Sequence, residues 1–202
     1  MATEMCSSPG CQQDVVMRVH PVWKRKIVHQ AVYCEEHGRI FLANYNAVRP
    51  ADERATQRWG DNVAFDVELL LTDYRLEIPC QLVLREVGGN QRFDCTIGVF
   101  ESAAIQRELE RSFAPRPLTH RAMVSLMKAL GGRLECVQVD KLLLAQRIYE
   151  AKLHVRHATG AVVVDVRISD AVVLAIICEV PIFVSMEVLE KLGERQQLDG
   201  TP

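Results

Sequence analysis

Four side chains of metal-ligand type near the start of the chain, Cys6, Cys11, Cys34 and His37, stand as C-x4-C-x22-C-x2-H. Thiolates and imidazoles in two short-spaced pairs match a structural zinc site, where two turns each supply two ligands to a tetrahedral ion. Pro9 and Gly10 suit the tight turn that lets Cys6 and Cys11 reach one ion. His20 and His29 are substitute ligands by type, although histidines on strands more often lie at the surface. A site closed by four protein ligands supports folding, not catalysis. A second polar group lies far down the chain. In "VRISDAVVLAIICEV" (166–180), Arg167, Ser169 and Asp170 stand directly before the apolar run Ala171–Cys178, and Asp165 shares a strand face with Arg167 by alternation.

The elements that carry the first group are short. "VVMRVHPVW" and "KIVHQAVY" read as two strands with "KRK" near their turn, and "EEHGRIFLANY" as a short helix. Residues 44–62, "NYNAVRPADERATQRWGDN", lose periodicity and collect Pro, Gly, Asn and charge, which marks a linker. The expected division is a zinc-binding β-hairpin module over 1–43, a linker over 44–62 and a main domain over 63–202.

In the main domain "VELLLTDY" and "PCQLVLREV" read as strands, and "GGN" turns into "QRFDCTIGVF". There Phe93, Cys95, Ile97 and Val99 alternate with Arg92, Asp94, Thr96 and Gly98. A helix over 101–112 turns Ala104, Ile105 and Leu109 inward. The helix in "APRPLTHRAMVSLMKALGG" takes Thr119 as N-cap, a Leu118–Met123 staple, a stop at Gly131 and a buried stripe of Leu126, Met127 and Leu130. "RLECVQV", "RIYEAKLHV" and "GAVVVDVRI" are three strands. The apolar helix follows, with Ser169 as N-cap and Asp170 complementing the dipole. "PIFVS" adds a strand and "MEVLEKLGERQQ" a last helix. This order gives an α+β fold with a mixed β-sheet and packed helices. "TIGVFESAAI" and "VRISDAVVLAI" echo each other, each running from a strand end past an acidic residue and a serine into an apolar helix.

Of 202 residues 49% are hydrophobic and 25% charged, ordinary values for a globular protein, and the net charge is −2. That charge divides as +2 over residues 1–60 and −4 over 61–202, so the larger part lacks the basic excess typical of phosphate-backbone binders. The longest apolar run falls well short of the roughly 20 residues that a membrane span needs. "MATEMCSSPGC" lacks the basic and apolar regions of a secretion signal. A cytoplasmic protein with reduced cysteines is expected, Cys80, Cys95, Cys136 and Cys178 filling core positions. A helix apolar all round must be buried all round, and one sheet covers a single face, so the rest needs another helix or another subunit. A homodimer or larger homo-oligomer is therefore expected, built around that helix or the apolar segment 142–145.

Four segments, "TIGVFESAAI" (96–105), "RPLTH" (116–120), "DVRISDAVVLAI" (165–176) and "VPIFVS" (180–185), occur in order and together resemble the bifunctional nuclease domain of bacteria and plants. The resemblance runs from roughly 66 to 192. It implies an α+β fold, an oligomer, and nuclease activity on DNA and RNA. Three positions depart from the family pattern: Ile168 replaces a proline, Arg121 an acidic residue, and Thr96 an aromatic one.

Phosphodiester hydrolysis calls for carboxylates that hold divalent metal, a group that activates water, and cations that balance developing charge. On this reading Asp165 and Asp170 hold Mg²⁺ or Mn²⁺, His120 assists water, Arg167 or Arg116 faces phosphate, and Glu101 fills the matching strand-to-helix corner. The same residues also suit purely structural roles in helix starts and ion pairs. Two other functions stay open: a non-catalytic oligomeric binding or regulatory module that contacts a partner through its zinc hairpin, and an enzyme acting on a small phosphorylated molecule.

Overall fold

Alternation sets the packed face of the sheet. In β7 (Arg92–Ile97) Phe93, Cys95 and Ile97 are buried while Arg92, Asp94 and Thr96 are exposed, as expected for a strand with one face packed. The computed structural model describes residues 6–13, 17–23, 25–27, 31–34, 36–37, 58–73, 79–112 and 114–198. Among them the other strands are β1 (Met17–Trp23), β2 (Lys26–Ile27), β3 (Ala31–Tyr33), β4 (Arg58–Trp59), β5 (Asn62–Asp73), β6 (Cys80–Glu86), β8 (Arg133–Leu143), β9 (Ile148–His157), β10 (Gly160–Arg167) and β11 (Ile182–Val184). The helices are α1 (Val99–Leu109), α2 (Thr119–Ala129), α3 (Ile168–Cys178) and α4 (Met186–Leu198). All the strands join one sheet whose main path is β10-β9-β8-β11-β5-β1-β2. β11 runs parallel to β8 and the other described pairings are antiparallel, so the sheet is mixed and the fold is α+β as expected.

β5 is the hub. Phe65 pairs with both β11 and β6, and Leu70 with both β1 and β6. One edge of β5 therefore carries β6, while the other carries β11 first and β1 further along. The strands of the N-terminal hairpin thus extend the same sheet as the main domain. Arg58 and Trp59 pair back onto Val63 and Asn62, so residues 58–62 form a hairpin where composition reads as linker. His29, most of the expected helix over 35–45 and the rest of the linker lie outside the described residues.

The helix α3 is enclosed by this one chain. Ile168, Ser169, Ala171, Val172, Val173, Leu174, Ala175 and Ile176 are all buried, in a core that also takes in Ile105 and Leu109 of α1, Val124 of α2, Val188 and Leu192 of α4, and the inner face of the sheet. A large aliphatic side chain gains about 1.5–3 kcal/mol on burial. Of the two expected covers, another helix or another subunit, the structure supplies the first: α1 and α2 lie against the helix together with the sheet. Two cap readings are corrected. The N-cap of α3 is Arg167 and that of α2 is Leu118, because Ser169 and Thr119 already lie inside their helices. With Leu118 as the cap, the Leu118–Met123 staple does not arise. Gly131, at φ +80°, does follow α2 as expected.

The largest correction concerns α2. Val124 is its buried residue, with Met127 packed against the core, whereas Leu126 and Leu130 are 61% and 67% exposed. The apolar stripe exists but faces outward. In the segment 142–145, Leu142 is buried and Leu144 is partly exposed in the turn that follows β8.

Two charged or polar groups lock the hairpin to the main domain. Arg25, at the tip between β1 and β2, has φ +56°, a left-handed conformation that costs a non-glycine residue roughly 1 kcal/mol. Its Nε donates to Asp66 Oδ1 at 2.9 Å, and Nη1 and Nη2 donate to the Ala175 and Val180 carbonyls at 2.8 and 2.7 Å. The Ala175 carbonyl, which also accepts the Val180 N–H at 3.1 Å, lies in the last turn of α3, and Val180 follows the helix. His20 is wholly buried, with Nε2 3.3 Å from Thr72 Oγ1, and is neither a surface residue nor grouped with the cysteines. Burial pushes its pKa down to about 4, with Glu110 pulling upward and Arg18 adding to the depression.

Arg25→Ala leaves Asp66 without this partner and should cost about 2–4 kcal/mol in denaturant unfolding. A loss under about 0.5 kcal/mol, the level of a neutral surface change, would contradict the lock. For His20 the unfolded imidazole, near 6.5, binds a proton before the folded one. Stability should therefore fall as pH drops from about 6.5 to about 4, by up to about 3 kcal/mol, and level off below. Unfolding measured across that range should show a smaller acid loss in His20→Leu than in the parent chain.

Candidate active site and metal centre

Three helices start close together. β7 passes straight into α1 through Gly98, β10 into α3 through Arg167, and α2 begins at Thr119. Each start presents unpaired backbone N–H groups and the positive end of a helix dipole, a setting that favours anions. Glu101 and Asp170 each occupy the third position of their helices, and His120 the second of α2.

Arg167 joins these starts. Its Nη1 donates to Glu101 Oε1 at 2.7 Å, and its Nε to Asp170 Oδ2 at 2.9 Å. His120 Nε2 lies 3.0 Å from Asp170 Oδ1. The side chains of His120, Asp170 and Glu101 are largely shielded, while that of Arg167 is 67% exposed. Burial resists ionisation of Asp170, but Arg167 and His120 outweigh it and hold the carboxyl below its ordinary pKa. Gly98 makes room for Glu101: a methyl group at Gly98 would stand 2.3 Å from Oε2. Any side chain there forces the carboxylate to move, a requirement that strand alternation does not reveal.

Two expected site residues stand elsewhere. Asp165 is exposed and pairs across β10 and β9 with Lys152. Its neighbour Val164 pairs with the buried Leu153, so Asp165 faces away from the helices. The expected Asp165–Asp170 metal pair is not formed. Arg167 leaves the Asp165 face because β10 ends there and its long side chain turns toward the helix starts. Arg116 lines a separate cavity of about 760 Å³ with Arg107, Glu110 and Pro115. Arg121 forks onto Glu108, at 3.0 and 2.6 Å, and ties α2 to α1.

The N-terminal group does come together. The ligand atoms of Cys6, Cys11, Cys34 and His37 all lie within 4.8 Å of one another. Cys34 Sγ is 3.2 Å and Cys6 Sγ 3.6 Å from His37 Nδ1, and Cys11 Sγ is 3.9 Å from Cys34 Sγ. A tetrahedral ion with metal–sulfur bonds of about 2.3 Å separates its ligands by about 3.5–3.8 Å, so the donor set fits a divalent metal. Among the described residues it is the one such cluster. Burial raises the Cys6 thiol pKa, but bonds with the Cys34 and Ser8 backbone and the neighbouring thiols bring it down to about 7.

The sequence comparisons agree with this architecture. Residues 82–197 match the family model described as the bifunctional nuclease domain. Two proteins of Mycobacterium tuberculosis, "Uncharacterized protein MT1877" of strain CDC 1551 / Oshkosh and "Uncharacterized protein Rv1829" of strain H37Rv, are each 33% identical over 133 residues. Those residues span 62% of this chain and 76% of either relative. No described helix is long and apolar enough to cross a membrane. With the motif-bearing strand-to-helix corners in place and more than half of its residues matched, the chain belongs to the bifunctional nuclease domain family.

Proposed function

We propose that the chain hydrolyses phosphodiester bonds of RNA or DNA at the cluster of His120, Asp170, Arg167 and Glu101. The observation that carries this reading is the His120–Asp170 contact of 3.0 Å beside an exposed guanidinium. When Asp170 accepts from Nε2–H, the Nδ1 lone pair is free to take a proton from an attacking water or ribose hydroxyl. Arg167 and the helix starts then offset charge that grows on the phosphate oxygens. Asp170 orients the imidazole, and Glu101 holds Arg167 from the other side. A Mg²⁺ or Mn²⁺ ion here would use Asp170 and Glu101, the carboxylates that Arg167 bridges, and not Asp165. The cytoplasmic assignment and the self-association of the chain belong to the same reading.

A non-catalytic binding module is the second reading. Arg167 bound to both carboxylates is also a clamp that ties α1 to α3 without chemistry. Gel assays on single-stranded RNA and on single- and double-stranded DNA, with EDTA, Mg²⁺ or Mn²⁺, separate the two. His120→Ala should lower cleavage by about 100-fold or more while the melting temperature stays within a few degrees. Equal cleavage by the variant, or none by the parent chain, favours the binding module.

We also assign a structural zinc ion to Cys6, Cys11, Cys34 and His37, on the spacing and fit of the four donors. Elemental analysis of chain purified without added metal should give about one zinc per chain, and a chelator should destabilise the fold. A zinc content below about a tenth, with chelator-indifferent unfolding, contradicts the assignment.

A further inference from the structure

We infer that Phe100 and the groove behind it hold unpaired nucleotides of single-stranded RNA or DNA. One base stacks on the Phe100 ring, and backbone phosphates lie on Arg107 and Arg116. Phe100 is 88% exposed, the most exposed large hydrophobic side chain among the described residues. A ring left in water forgoes the gain of burial. This one occupies the second position of α1, immediately before Glu101, whose carboxylate holds Arg167.

Helical spacing sets the path of the strand. Ser102, Ile105 and Leu109 are the buried residues of α1. At about 100° per residue, Phe100 and Arg107 point away from that stripe, with Glu101 on one flank and Ala103 and Gln106 on the other. The second flank is one wall of the groove of about 760 Å³, and Pro115, Arg116 and Leu118 form the facing wall. Phe100 therefore stands on the crest between the candidate cluster and the groove. Leu118, at the groove, lies two residues before His120 of the cluster. Arg107 is two helical turns beyond Phe100, about 10 Å along the axis. That distance spans about three nucleotides at about 3.4 Å each.

Charge and stacking together select a single strand. Among the described residues Arg107 and Arg116 enter no ion pair or hydrogen bond. The carboxylate of the groove, Glu110, is engaged instead by Gln106 Nε2 at 2.7 Å and Ser112 Oγ at 3.3 Å. Two uncommitted guanidiniums thus face the groove, and Arg167, 67% exposed, continues the line on the far side of Phe100. The main domain is net acidic, so phosphate contacts alone give a duplex little affinity. Stacking on an aromatic ring adds affinity whatever the base, and an unpaired base has the free face it needs. The placing of a scissile bond beside Phe100 rests on the proposed hydrolysis, whereas the binding of the strand does not.

Fluorescence anisotropy of the full chain tests the inference, with EDTA present and with labelled single-stranded RNA, single-stranded DNA and a DNA duplex of the same sequence. Phe100→Ala should weaken single-strand binding by about fivefold or more, and Phe100→Trp should retain it. Neither should change duplex binding or the melting temperature, since Phe100 is exposed. Replacing both Arg107 and Arg116 by Ala should lower the slope of log affinity against log salt by about 1.4, which a purely structural role would not do. Phe100-dependent binding of either strand upholds the inference and shows which sugar the groove takes. An absence of single-strand binding, equal binding by Phe100→Ala, or tighter binding of the duplex overturns it. Phe100-dependent binding without cleavage in Mg²⁺ or Mn²⁺ upholds the strand site and removes the proposed hydrolysis. Cleavage at sub-saturating single strand that Phe100→Ala leaves unchanged does the reverse.

Discussion

The constraint on which the structure depends is the enclosure of α3, buried from Ala171 through Ile176. A helix apolar around its circumference has no face to give to water, so other elements must be arranged around it. α1 packs along one side, α2 along another, and β8, β9 and β10 lie beneath. The two ends of the helix are where polar chemistry becomes possible. At its start, Arg167 and Asp170 meet Glu101 and His120 from the two helices that pack on it. At its end, Arg25 reaches over from the N-terminal hairpin and donates to the carbonyls of Ala175 and Val180.

This arrangement links the hairpin that carries the Cys/His cluster to the candidate site through a buried rod. A metal held by the four donors would staple a hairpin too small to hold itself together. That hairpin extends the sheet along β5 and sends Arg25 into the gap between β1 and β11. Fixing the end of α3 also limits how far its start can move. The candidate cluster is therefore supported from both the domain core and the hairpin, although none of the four Cys/His donors touches it.

Much of this was legible from periodicity. The alternation of Phe93, Cys95 and Ile97 gave β7 its face, and the C-x4-C-x22-C-x2-H spacing gave the metal centre its ligands. Pattern fails where the answer depends on what covers a surface. The spacing of Leu126, Met127 and Leu130 marks a stripe on α2 but cannot say whether it faces the core or the exterior. The eight apolar residues of 171–178 demand burial, yet nothing local shows that one chain suffices. Strict alternation groups Asp165 with Arg167, but it stops applying where the strand ends and the long side chain turns. Arg25 read as part of a turn, and its acceptors lie 150 and 155 residues away. Buried His20 gave no local sign either.

Hydrogen exchange at the backbone of residues 170–178 tests the enclosure of α3 most directly, because amide protection reports how a segment opens. It is measured on the full chain at concentrations above and below any self-association. Enclosure by one chain predicts that the amides of 172–178, which have helical acceptors, exchange only through global unfolding, and equally slowly at both concentrations. Exchange that accelerates as the chain dissociates would show that a partner covers the helix, and would contradict the packing on which the candidate site is built.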